Sequence, residues 1–335
     1  MKIAVDAFGG DNAPRAVIEG CVAALNTYKD ITIALCGDEE SIKKELSSLT
    51  YDSSRVEIHH APEVIGCDEQ PTFAIRRKKN SSLVRAMELA RDKEAECVVS
   101  AGSTGAVLAG ATFIVRRIDG VKRPALGVVF PAEKGCVMVM DCGANVDCKP
   151  SYLMQFAVMA SAYMKDVMDT DNPRIGLLNN GAEAEKGNEL TKAAYKLLET
   201  APINFAGNCE ARDILTGEFD AVICDGFAGN VVLKHTEGMA STLISMLKAE
   251  LMADTRSKIG ALLSKPAFRR FKKVMDYTEY GGAPLLGIDG GVVKAHGSSN
   301  AKAFTAAIGQ ARRLALCGIN ESIRSAIGQL PDIQD

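Results

Sequence analysis

The stretch CVVSAGSTGAVLAGATFIVRR, residues 97–117, sets four apolar-rich residues against a Gly-Ser-Thr turn and then a longer segment at helical spacing. Four residues are too few for a helix and suit a buried strand, while the segment opening near Thr104 is long enough for a crossover helix. The same unit recurs along the chain. Strands are predicted over 2–5, 31–36, 56–59, 97–100, 125–130, 136–141, 174–178, 204–206 and 221–225, with two more near Leu285 and Val292. Helical segments separate most of them. One is LVRAMELARDKEAE, where Asn80, Ser81 and Ser82 offer caps and Leu83, Met87, Leu89 and Ala90 a buried stripe. Alternation of this kind predicts an α/β fold on a mainly parallel sheet. No repeat or low-complexity linker divides the chain, so 1–335 reads as a single domain with a helical hairpin excursion over about 238–278.

Polar loops follow the predicted strand ends: AFGGDN, AGSTG, DCGANVDCKP, NNGAEAEKGN, GNCEARD and DGFAGN. In open α/β sheets ligands bind outside the carboxyl ends of the strands, so one edge of the sheet is the expected site. Within AGSTG, Ser103, Thr104 and Gly105 open a helix whose free N–H groups suit a phosphate, although Ser103 or Thr104 serves equally as a cap. In DCGANVDCKP, Asp141 and Asn145 are substrate-side candidates. For Asp141 the preferred role is structural, accepting backbone N–H groups to hold its loop. Lys186 is a cation among acids and suits phosphate as a point charge. Asp225 and Asn230 stand at a strand-to-helix crossing, where an amide can donate to a developing oxyanion.

The glycine-rich stretch 280–300 carries neither G-x-G-x-x-G nor G-x-x-x-x-G-K-[ST], which removes the two commonest nucleotide readings. Its His296, with His59 and His60, is a secondary candidate for assistance in catalysis. There is no G-x-S-x-G elbow and no cysteine in a reactive pairing, so the nucleophile is expected to come from a substrate. The ten cysteines include no C-x-x-C pair and most sit in apolar runs, which predicts reduced, buried thiols; Cys142 and Cys148 are the pair worth testing for metal or redox chemistry. Four scattered histidines do not compose a zinc site, and no metal or cofactor is expected.

Net charge is -3, which gives no global reason to expect nucleic-acid binding. A charged residue at Asp6 precedes any run long enough for a signal peptide, so a cytoplasmic protein is expected. The segment 251–277 differs: basic residues including Lys272 and Lys273 surround Ile259, Leu262, Leu263, Phe268 and Phe271, with Gly260 and Pro266 read as the bend of a helical hairpin. Such a pattern suits an anionic membrane surface or a dimer interface with a solvated basic face.

Together VDAFGGDNAP, AIRRKKNSS, SAGSTGA, DCGANVDCKP, GLLNNGAEAEKGNE, DGFAGNVVLK and GGAPLLGIDGGVVKAHGSS resemble the bacterial phosphate acyltransferases of the PlsX family, from Met1 to about Leu316. The resemblance implies transfer of a long-chain fatty acyl group from acyl carrier protein to inorganic phosphate, giving acyl phosphate for phospholipid synthesis. It further implies a three-layer α/β/α fold related to phosphotransacetylases and isocitrate-dehydrogenase-like enzymes. A homodimer at the cytosolic membrane face is implied too, with the downstream acyl-phosphate glycerol-3-phosphate acyltransferase as a further partner. Cys142 and Asn80 depart from the family pattern, where valine and aspartate are usual. Residue reading and resemblance meet in one expected mechanism. Phosphate lies against Ser103 to Gly105 and Lys186, Asn230 stabilises the oxyanion, and Arg76, Arg77, Lys78 and Lys79 dock the acidic carrier. A nicotinamide-dependent decarboxylating dehydrogenase and a non-catalytic membrane scaffold are the competing readings.

Overall fold

The computed structural model describes residues 1–274 and 281–331, without the side chains of 272–274. The side chains of Lys272 and Lys273, and the end of the expected hairpin at 275–278, lie outside the described residues. The strands are β1 (Lys2–Asp6), β2 (Thr32–Gly37), β3 (Val56–His60), β4 (Cys97–Ser100), β5 (Ala125–Pro131), β6 (Cys136–Met140), β7 (Arg174–Asn179), β8 (Asn204–Glu210), β9 (Ala221–Ile223), β10 (Ala283–Leu286) and β11 (Gly291–Lys294). The helices are α1 (Arg15–Thr27), α2 (Glu39–Leu46), α3 (Pro71–Arg77), α4 (Ser82–Arg91), α5 (Thr104–Gly110), α6 (Pro150–Asp166), α7 (Glu189–Leu198), α8 (Gly226–Leu251), α9 (Thr255–Val274), α10 (Ala301–Cys317) and α11 (Ile319–Gly328).

Among the described residues the strands join one eleven-stranded sheet in the order β3-β2-β1-β4-β11-β10-β5-β6-β9-β7-β8. The first five in that order run parallel, as do the last four. Between them the pairs β11–β10, β10–β5 and β5–β6 are antiparallel. Three reversals leave the two parallel groups pointing in opposite directions. The register then brings their carboxyl ends together. Lys294 closing β11 lies opposite Ala283, Leu285 opposite Leu126, and Gly127 opposite Met140 closing β6. This corrects the expectation of one common edge: the polar loops occupy two opposed edges, and only those of the innermost strands face each other at the sheet's centre.

Helices cover both faces in three layers. On one face α1 packs on α10 and α6 on α11 and α7, burying Phe156, Tyr163 and Phe304 in a core that spans both halves. Opposite the first half lie α3, α4 and α5, around Met87, Leu89 and Val107. Opposite the second half, the start of α8 covers Val139, Val222 and Cys209. Ser81 caps α4 by accepting from Val84 N, and Leu83, Met87, Leu89 and Ala90 are buried, as the spacing predicts. In the glycine-rich stretch 280–300, Gly281 is packed tightly. It has φ +87° and lies so close to α10 that a Cβ would stand 2.3 Å from the Ala306 carbonyl oxygen, so backbone packs on backbone there.

The hairpin differs from its prediction. Its turn falls between Leu251 and Thr255, and Gly260 and Pro266 both lie within α9. The stop signal is Asp254, whose carboxylate accepts from Arg256 N, Ser257 N and Ser257 Oγ and so starts the second helix. Leu243, Met246, Ile259, Leu262 and Leu263 are exposed on the pair. Among the described residues no helix is long and apolar enough to cross a membrane.

Candidate active site

Where the two carboxyl edges meet, a cavity of about 420 Å³ opens between β11, β10 and β5 on one side and the start of α8 on the other. It is lined by apolar Leu126, Val128, Val129, Val146, Phe227 and Leu233 and by polar residues that include Thr104, Asn230, Lys234, Glu237, Lys294, His296 and Ser299. Of the sequence candidates, Thr104, Asn230 and His296 line it.

Close packing of α8 puts Asn230 there. Asp225 caps the helix by accepting from Ala228 N at 2.8 Å, and Gly226 N donates to Asn145 O at 2.7 Å. A Cβ on Gly226 would lie 2.7 Å from that same oxygen, and one on Gly229 only 1.9 Å from Asp141 O. Two glycines therefore let the first turn sit directly on the loop after β6. Next in sequence, Asn230 is exposed beside Gly143, and among the described residues its amide has no hydrogen-bond partner. It is free to donate to a ligand.

Asp141 serves the loop. It is fully buried, its Oδ1 accepts from Leu126 N and Ala144 N at 3.0 Å each, and its Oδ2 accepts from Asn145 N at 2.6 Å and Asn145 Nδ2 at 2.9 Å. Burial pushes its carboxyl above the ordinary range, against the pull of these donors. Asn145 also donates to Pro124 O, so both side chains are committed to holding β5, β6 and α8 together and neither lines the cavity. Asp225 is likewise spent as a cap. Ser103 occupies the position before α5 but makes no capping bond, and Gly105 packs against Pro71.

The structure leaves Lys186, His59 and His60 outside the cavity. Lys186 is half-exposed on the loop after β7, with Nζ 4.0 Å from Glu183 Oε1. The histidines end β3, four strands from β11 and about 19 Å away. His59 Nε2 lies 3.5 Å from Glu57 Oε2, and His60 Nδ1 accepts from Glu39 N. Within the basic run, Lys78 donates to Glu69 Oε1 at 2.6 Å and to Val64 O. Arg76 and Arg77 lie over the rings of Phe113 and Phe73, and with Lys79 they are the exposed cations of that run.

Burial raises the thiol of Cys142 beyond the ordinary range and that of Cys148 to about 12, so neither supplies a thiolate at neutral pH. All ten cysteines are free, and among the described residues no group of His, Cys, Asp and Glu is placed to hold a metal.

Sequence reading missed two buried charged residues. Lys294 lines the cavity at the end of β11, and Asp6 ends β1 with its Oδ2 accepting from Ser100 Oγ at 2.7 Å. Among the described residues Asp6 Oδ1 has no hydrogen-bond partner, and burial pushes its carboxyl up. The available signal was a charged residue closing an otherwise apolar strand immediately before a glycine-rich loop.

A family model described as "Fatty acid synthesis protein" matches residues 1–322. A protein of Clostridium perfringens named phosphate acyltransferase is 55% identical over 314 residues, covering 93% of each chain. Among solved structures, a phosphotransacetylase from Streptococcus pyogenes superposes with a TM-score of 0.61 at 17% identity, covering 94% of each chain. A 4-hydroxythreonine-4-phosphate dehydrogenase from Klebsiella pneumoniae gives 0.53 at 12% identity, covering 94% of this chain and 99% of that one. The two structures support the three-layer fold alone. Sequence similarity over almost the full length carries more: the chain belongs to the fatty acid synthesis protein family, the family of the phosphate acyltransferases.

Proposed function

We propose that the protein transfers a long-chain fatty acyl group from an acyl carrier protein thioester to inorganic phosphate, releasing acyl phosphate for phospholipid synthesis and the free carrier thiol. The observation that carries this reading is one cavity lined by apolar side chains together with a free amide and a cation. An acyl chain lies along Leu126, Val128 and Phe227, and its thioester carbonyl meets Asn230. A phosphate oxygen attacks the carbonyl carbon, the carbonyl electrons move onto oxygen, and Asn230 donates to that oxyanion. One such donor contributes typically about 3 to 4 kcal/mol. Collapse breaks the C–S bond, and the departing sulfur takes a proton. A thiol with an ordinary pKa near 8.5 is a good enough leaving group to need little acid assistance. Thr104 and the turn before α5 border the phosphate end.

The cations Arg76, Arg77 and Lys79 suit an acidic carrier. The exposed apolar residues of the α8–α9 hairpin suit a second copy of the chain along α8 and an anionic membrane surface around Ile259, Leu262 and Leu263. The protein is then a cytoplasmic homodimer held peripherally at the membrane, where a downstream acyl-phosphate glycerol-3-phosphate acyltransferase takes its product. Carrier thioester and phosphate, incubated with and without the protein, test the reaction through acyl phosphate and free thiol. Both should accumulate only when phosphate and protein are present. Turnover that needs a nicotinamide nucleotide instead would overturn the reading.

A further inference from the structure

Lys294 is 8% exposed and lines the cavity. Its Nζ donates to Ala295 O and, at 3.4 Å, to Ala101 O. An ammonium has three N–H donors, so one is left without an acceptor among the described residues, and no described carboxylate lies within 4 Å. Lys234, the other lysine of the cavity, is already paired with Glu237 at 2.8 Å. Asp6 makes its bond to Ser100, which lies opposite Lys294 in the β4–β11 register. Attraction to Asp6 and Asp11, beyond ion-pair distance, offsets only part of the desolvation of this buried ammonium, and an anion arriving in the cavity relieves the remainder.

We propose that Lys294 is the cation that grips the phosphate acceptor, its unpaired N–H donating to a phosphate oxygen in the cavity. The assignment rests on the acyl-transfer reading above and names the group that holds its second substrate. Thr104 and Ser299 line the same cavity and offer hydroxyl donors, and Asn230 is left for the acyl carbonyl in the reaction proposed above. Burial lowers the ammonium to about 8, which leaves it charged at neutral pH but short of a partner.

Two measurements on wild type, Lys294→Met and Lys294→Arg test it. Inorganic phosphate should raise the thermal midpoint of the wild type, because a ligand that binds only the folded state stabilises it. The shift should vanish in Lys294→Met and return in part in Lys294→Arg. Methionine fills the same space without a charge, so Lys294→Met should be at least as stable as wild type in the absence of phosphate. In turnover, loss of a charge-assisted hydrogen bond should raise KM for phosphate by about 10- to 100-fold, with KM for the acyl donor little changed. A Lys294→Met protein that keeps both the phosphate-dependent shift and the wild-type KM overturns the assignment. If the wild type transfers no acyl group, the functional reading fails, and the thermal shift with inorganic phosphate still decides the role of Lys294 by itself.

Discussion

Replacing Asp141 by alanine separates its two possible roles. The substitution removes an acceptor from the backbone N–H groups of Leu126, Ala144 and Asn145 and from the Asn145 amide, which keeps its bond to Pro124 O. A buried donor left without a partner costs about 1 to 3 kcal/mol. Three dedicated backbone donors therefore set a ceiling of about 9 kcal/mol, with a floor near 3. Water entering from the adjoining cavity satisfies part of the loss, and removing a buried carboxylate recovers some of its desolvation. The expected net destabilisation is about 4 kcal/mol, which for a chain of this size lowers the thermal midpoint by roughly 6 °C. Asp141→Asn should lose about half as much, because its carbonyl still serves Leu126 and Ala144 while its NH₂ faces the donors of Asn145. Circular dichroism melts at neutral pH read the stability, and acyl transfer assayed well below the midpoint reads the activity. Melts unchanged within 2 °C or so, alongside a large loss of turnover, would refute the loop-anchor role and return Asp141 to the substrate.

Three further outcomes are expected. Asn230→Ala should cut acyl transfer about 100-fold or more with little change in the melt, since its side chain is exposed; near-normal turnover would remove it from the mechanism. Glutamate at both Leu262 and Leu263 should abolish sedimentation with anionic vesicles and spare turnover in solution, and persistent sedimentation would exclude that surface. Burial pushes the Asp220 carboxyl up, but the hydrogen bonds from Arg174 outweigh it and hold it below the ordinary range. A depressed folded value contributes stability above the unfolded carboxylate pKa near 4, and that contribution is lost as pH falls through the folded value. The gap between wild-type and Asp220→Asn melts should therefore be present at neutral pH and close in acid; a constant gap would contradict it.

Strand positions were legible because apolar runs end at turn residues, and the predicted strand starting at 136 begins where β6 begins. Strand direction was less so, although one clue was present. Only four residues join β5 to β6, too few for a parallel crossover and right for a hairpin. That reversal, with those flanking β10, points the two parallel groups in opposite directions and brings the loops of their innermost strands together. Asn230 and Thr104 follow β9 and β4, nearer the centre of the sheet, whereas Lys186 and His59, equally polar, belong to β7 and β3 farther out. The hairpin bend was misread for a different reason. Gly260 and Pro266 are strong local signals, but the exposed helix α9 accommodates both, and the actual stop is made by a capping carboxylate at Asp254.

Lys294 shows the limit most directly. In GVVKAHG it reads as a polar residue closing a strand, no different from Lys186 on its loop. Its burial comes from β4 on one side, β10 on the other and the Ala101 carbonyl nearby, all supplied by segments remote in sequence or joined by a glycine turn. Charge at a strand end is ordinary where water reaches it. Once neighbouring strands exclude the water and its hydrogen bonds go only to carbonyl oxygens, the same ammonium favours an anion, and the cavity beside it is where that anion can enter. The local pattern flags only a charge at a strand end before a glycine-rich loop; the functional meaning of the residue lies in the pairing of the strands around it.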